Sequence, residues 1–103
     1  LLDAARAELA AFVGAAPEDL VFVPNATTGI NAVLRSLPFQ PGDELLTTNM
    51  EYNACRNALN YVAERSGLQV VVAEVPFPIA SPEQLIAAVL SKVSARTRLA
   101  LID

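Results

Sequence analysis

Histidine and tryptophan are absent from this 103-residue sequence, cysteine occurs once as Cys55, and Lys92 is the only lysine. A single cysteine allows no internal disulfide, and without Cys/His clusters the usual zinc patterns cannot form. With no histidine to activate it, Cys55 lacks the usual features of a reactive thiol, and a buried packing role is expected. Seven Lys and Arg face eleven Asp and Glu, for a net charge of -4. The cations are scattered, so the clustered positive charge that phosphate backbones require is missing and no nucleic-acid partner is expected. Apolar stretches are broken by Arg, Glu or Pro well short of the roughly 20 residues of a membrane span. No cleavable signal is visible. The expectation is a soluble chain in a reducing, cytoplasmic setting.

What is abundant points inward. Apolar residues make up 53% of the chain and charged residues 17%, the composition of a buried α/β core rather than of a disordered segment. The length suits one small domain with one core. Leu1 starts within a helical pattern and Asp103 follows the apolar run Leu99-Ala100-Leu101-Ile102, so residues 1–103 are read as a piece cut from a larger domain. There is no low-complexity tract and no internal repeat.

Leu2, Ala5, Leu9 and Phe12 share one helical face, and Gly14 and Pro17 supply the stop. Leu20-Val21-Phe22-Val23 is a short apolar run that reads as a buried strand, broken by Pro24 and Asn25. A helix is predicted from Thr28 to Leu37 with Ile30, Val33, Leu34 and Leu37 inward. Glu44–Thr48 follows as a strand, then Asn53–Ser66 as a helix with Cys55, Ala58, Leu59 and Val62 inward and Gly67 at its end. Gln69–Val75 is the third strand. A helix from Pro82 carries Ile86, Val89, Leu90 and Val93 inward, and Leu99–Ile102 is the fourth strand. At Ser81-Pro82-Glu83-Gln84 the Ser hydroxyl and the Gln side chain suit a reciprocal cap, with Pro at the first helical position. Apolar strands alternating with helices predict a three-layer α/β/α sandwich around a mainly parallel sheet.

Ligands of open parallel sheets bind beyond the carboxyl ends of the strands. Two places there are distinctive. At Pro24-Asn25-Ala26-Thr27-Thr28-Gly29 a strand gives way to a helix start, whose free N–H groups, dipole and Thr hydroxyls suit an anion such as phosphate. The same residue types also cap helices, which is their commoner employment. At Asn49-Met50-Glu51-Tyr52-Asn53-Ala54 an aromatic ring stands at the sheet edge, able to stack on a planar heteroaromatic ligand or to pack on its neighbours.

Together, Asn25-Ala26-Thr27-Thr28-Gly29 and Glu51-Tyr52-Asn53-Ala54 resemble the class V aminotransferases, a pyridoxal 5'-phosphate (PLP) dependent group of fold type I. The likeness runs over nearly the whole chain. Tyr52 is similar to the isopenicillin N epimerase-like branch, since the cysteine desulfurases of this family usually place His there. The resemblance implies the N-terminal part of a PLP-binding large domain, with the catalytic lysine segment and the C-terminal small domain not included. It implies that Ala26 and Thr27 bind the cofactor phosphate through N–H groups and the Thr hydroxyl, with Thr28 nearby, and that Tyr52 stacks on the pyridine ring. It further implies an amino-acid substrate attacked at its α-carbon, a homodimer, and no catalytic residue or metal ligand within this piece. Lys92 lies well before the position of the family's lysine, and Asp103 is not on the strand that carries the family's pyridinium partner but is a rim residue. The family's strand order separates Leu20–Val23 from the other strands, so the piece alone is expected to be poorly stable. Two alternatives stay open: a non-catalytic phosphate- or nucleotide-binding module, against which the missing glycine-rich fingerprint counts, and a purely structural or interaction fragment.

Overall fold

The computed structural model describes residues 1–103. In chain order it contains α1 (Leu2–Val13), a 3-10 turn (Pro17–Asp19), α2 (Ala26–Ser36), β1 (Glu44–Thr48), α3 (Asn53–Ser66), β2 (Gln69–Ala73), α4 (Pro82–Leu90) and β3 (Thr97–Ala100). The α/β architecture with a parallel sheet is as expected, with three strands in the order β2-β1-β3. Leu45 sits opposite Val70 on one side and Leu99 on the other.

Alternation along β1 assigns its two faces. Leu45 joins Leu34 of α2 and Ala58, Leu59, Val62 and Ala63 of α3 in the core cluster, against which Ile30, Val70, Leu99 and Leu101 also pack. Leu46 is equally buried and points to the opposite face. Ile102, one residue beyond Leu101 and so on the opposite face, lines a cavity with Leu85, Ile86, Val89 and Leu90 of α4. This agrees with right-handed crossovers that run from β1 outward to β2 and then back across to β3. The helices α2 and α3 cover one face and α4 the other, which gives three layers.

Helix α3 is the best-anchored element. Cys55, Ala58, Leu59 and Val62 are all buried, as their spacing predicted, and Gly67 ends the helix at φ 67°. A left-handed residue there closes the helix at little cost only when it has no Cβ. Burial of a leucine such as Leu59, which is 0% exposed, contributes about 1.5–3 kcal/mol.

Four expectations need correction. Leu20–Val23 is not a buried strand: Leu20 is extended, but the segment pairs with no strand and Val21 is 79% exposed. A strand needs a neighbour for its backbone groups, and this chain supplies none at that place. Ser81 starts α4 without a side-chain cap bond, and Gln84 Oε1 accepts from the Ala80 N–H at 2.8 Å, one residue earlier than a capping box requires. Strand β2 ends at Ala73 rather than Val75, and β3 covers Thr97–Ala100 rather than Leu99–Ile102. Finally, the apolar face of α1 is exposed at Leu2, Leu9 and Phe12, and so are several positions assigned inward: Val33 and Leu37 around α2, Ile86 and Leu90 on α4, and Val93 after it. Each keeps 40% or more of its surface exposed.

Candidate functional site

The strands are parallel, so their carboxyl ends share one edge of the sheet. The start of α2 lies at that edge too, since Ala26, Gly29 and Ile30 line a cavity of about 390 Å³ with Leu99, Ala100 and Leu101. The Leu101 N–H bonds to Leu46 O at 2.9 Å, which brings the end of β3 beside β1 and the loop that follows it.

At the start of α2 the backbone of Asn25 is extended, and its side chain accepts from the Thr28 N–H at 2.8 Å. The bland reading of Asn25 as a cap is therefore correct for that residue. Its carbonyl takes the Gly29 N–H at 3.2 Å. The cap thus consumes the third N–H of the helix, and the first two, those of Ala26 and Thr27, meet no acceptor in the chain. No acidic residue occupies this first turn, so the positive end of the helix dipole is not neutralised. The hydroxyls of Thr27 and Thr28 are likewise free of protein partners, while Thr27 O accepts from Asn31 Nδ2 at 3.0 Å. Two unused N–H groups and two unused hydroxyls at one helix start can receive an anion.

The second loop is held more tightly. Past the end of β1, Asn49 behaves as an additional rung of the sheet. Its N–H bonds to Ala73 O at 3.1 Å, its Nδ2 donates to Val75 O at 3.1 Å, and its Oδ1 accepts from the Val75 N–H at 2.8 Å. Thr48 Oγ1 accepts from the Met50 N–H at 3.2 Å, and Thr47 Oγ1 donates to Glu51 Oε2 at 2.9 Å. Tyr52 then stands at the N-cap of α3, where its side chain makes no capping bond. Tyr52 is 60% exposed. No hydrogen bond joins Tyr52 to residues 26–28; the fold brings the two loops to one edge through β1 and β3.

Glu51 and Cys55 complete the edge. Burial raises the Glu51 carboxyl above its ordinary value, a hydrogen bond with Asp103 raises it further, and the Thr47 hydroxyl partly opposes both. The Cys55 thiol, fully buried as expected, is pushed up by burial and then by the charges of Glu51 and Asp103, which disfavours the thiolate. Asn49 and Glu51 were not singled out from the sequence. A polar pair flanking the apolar-to-helix transition was the available signal, but its use depends on knowing that β1 lies between β2 and β3. Lys92 is exposed just past the end of α4. No group of three or more His, Cys, Asp or Glu could hold a metal, and no helix is long and apolar enough to cross a membrane.

Comparison with known proteins gives a consistent picture. The family model described as aminotransferase class-V matches residues 1–102. Isopenicillin N epimerase of Amycolatopsis lactamdurans is 38% identical over 96% of this chain and 26% of its own length. A cysteine desulfurase of Pectobacterium carotovorum is 37% identical over 95% of this chain and 24% of its own. Among solved structures, C-DES with glycine covalently linked to its PLP cofactor superposes with a TM-score of 0.82 at 25% identity, over 94% of this chain and 25% of that one. The chain therefore spans about a quarter of the length of the relatives it matches.

Proposed function

The chain belongs to the class V aminotransferase family, whose cofactor is PLP, and on that premise we propose that it supplies the phosphate-binding loop and the ring-stacking residue of a PLP-dependent enzyme acting at the α-carbon of an amino acid. Ala26 and Thr27 hold the cofactor phosphate through their N–H groups and the Thr27 hydroxyl, Thr28 adds a second hydroxyl, and Tyr52 covers one face of the pyridine ring. The observation that carries this reading is the division of labour at the start of α2. Asn25 accepts only from Thr28, so the two N–H groups nearest the helix end remain for a ligand anion. The residues present therefore fit the group.

When bound, the cofactor supplies an electron sink for charge developing at the substrate α-carbon. This chain's residues bind and orient. The helix start neutralises part of the phosphate charge, and the braced turn at Asn49–Glu51 keeps the Tyr52 ring at a set position, which limits the freedom lost on binding. The proton-transferring lysine belongs to no position in this sequence, since Lys92 is the only lysine and lies just past the end of α4. Residues 1–103 alone are therefore inactive in this account, and form part of a large domain in a cytoplasmic homodimer. The lone Cys55 is in keeping with a reducing setting. Epimerisation, supported by the relative from Amycolatopsis lactamdurans, and carbon–sulfur cleavage, supported by the desulfurases, are both outcomes that such an enzyme would reach with the same cofactor.

The test is an absorbance spectrum of the longer protein that carries this chain, purified without added cofactor, before and after borohydride, with the 103-residue chain as control. A visible cofactor band in the longer protein, fixed by borohydride and absent from the control, is the expected result. No band even after incubation with PLP refutes the proposal.

A further inference from the structure

The pairing of β1 with β2 continues past its last backbone rung. Thr48 lies opposite Ala73 where the ladder ends, and the next rung is made by a side chain. Asn49 Oδ1 accepts from the Val75 N–H at 2.8 Å, and Asn49 Nδ2 donates to Val75 O at 3.1 Å. A primary amide offers a donor and an acceptor side by side, as a peptide group does, so the Asn49 side chain serves here as the backbone of a strand residue would. The Asn49 N–H adds a third bond, to Ala73 O at 3.1 Å. Val75 is 3% exposed, whereas Asn49 lies on the surface. Burial therefore does not confine the Asn49 side chain; its bonds to Val75 do.

Tyr52 follows three residues later. The other bonds of this turn return to β1 itself. Thr48 Oγ1 accepts from the Met50 N–H at 3.2 Å, Thr48 O accepts from the Glu51 N–H at 3.4 Å, and Thr47 Oγ1 donates to Glu51 Oε2 at 2.9 Å. These bonds shape the turn, and those of Asn49 fasten it to the neighbouring strand and to the chain that leaves that strand.

We propose that Asn49 is a positioning residue for the cofactor site: by pairing with the backbone of Val75 it anchors the turn to the exit of β2 and holds the Tyr52 ring in place ahead of cofactor binding. An exposed ring on an unfastened turn must be ordered when a ligand binds, and that ordering weakens affinity; a ring fastened beforehand avoids the loss. The proposal rests on the reading of Tyr52 as the stacking residue given above. Asn49 acts through Tyr52 rather than on the cofactor.

Asn49→Ala removes both side-chain bonds to Val75. Asn49→Asp, studied at about pH 8 so that its carboxyl is ionised, keeps the acceptor and loses the donor, and serves as the second variant if the first fails to fold. PLP affinity of the full-length protein is measured for each variant with Tyr52 in place and with Tyr52→Ala, alongside the unfolding free energies of the apo-proteins. Either Asn49 variant should weaken PLP binding about two- to tenfold when Tyr52 is present. It should weaken binding no further when Tyr52 is already replaced, the non-additivity that marks residues acting as a unit. Equal weakening in both backgrounds overturns the proposal and leaves the Tyr52 reading intact. A fall in unfolding free energy with PLP affinity unchanged makes Asn49 a stabiliser of the sheet alone, and overturns the proposal as well. If Tyr52→Ala by itself leaves PLP affinity unchanged, the cofactor reading of Tyr52 fails and the role of Asn49 falls with it.

Discussion

The segment from α1 to Val23 and the unit from β1 to β2 are both rich in apolar residues, yet one is packed and the other is not. In β1 all five residues are buried, held by parallel ladders on both sides and by Leu59 and its neighbours on α3. In Leu20–Val23 an equally apolar run lies without a ladder, and α1 buries only Ala10. Apolar content makes a segment eligible for the core; neighbours with complementary backbone groups make it a strand.

The largest effect should come from supplying those neighbours. In a protein of the relatives' length, the amides of Leu20–Val23 are expected to exchange with solvent orders of magnitude more slowly than in the 103-residue chain, because core strands open only with large-scale unfolding. Equal rates in both would mean that the segment is never paired. Within the packed unit, Leu59→Ala in the longer protein should cost about 2–5 kcal/mol by denaturant unfolding, whereas Phe12→Ala on α1, if this face stays as open as here, should be near neutral.

A smaller loss, about 1–3 kcal/mol, is expected for Asn49→Ala, which leaves the N–H and C=O of Val75 without partners. Smallest is the effect of pH on Glu44. The Ser94 hydroxyl, at 2.6 Å, and then Arg96 lower its carboxyl, against the opposing effect of burial. A lowered folded value means stability that is present above the unfolded range and lost as pH falls. The advantage of wild type over Glu44→Gln in thermal midpoint should therefore shrink below about pH 4. An advantage independent of pH would contradict the role given to Ser94 and Arg96.

The comparison also explains what could be read in advance. Glu44–Thr48 and Asn53–Ser66 were predicted with the bounds the structure shows, because local spacing, an apolar run and Gly67 agree with the tertiary environment. The strand at Leu20–Val23 and the inward stripe of α4 depend on partners that local sequence does not encode. At the edge of the sheet, the anion-suited helix start was legible from Asn25-Ala26-Thr27-Thr28, and the exposed aromatic from its place after β1. The brace beneath Tyr52 was not. Asn49 reaches Val75 across a long stretch of sequence, and that approach follows from the pairing of β1 with β2 rather than from any local pattern.

The most direct test of the central claim is the equilibrium affinity of the full-length protein for PLP in Thr27→Ala and Tyr52→Ala. Loss of a hydroxyl bond to the phosphate should weaken binding by about 1–2 kcal/mol, and loss of the stacked ring by a comparable amount. Weaker cofactor binding in both variants, with unfolding free energies of the apo-proteins unchanged, is the predicted result. Undiminished affinity in both would contradict the assignment of this edge of the sheet as the cofactor site.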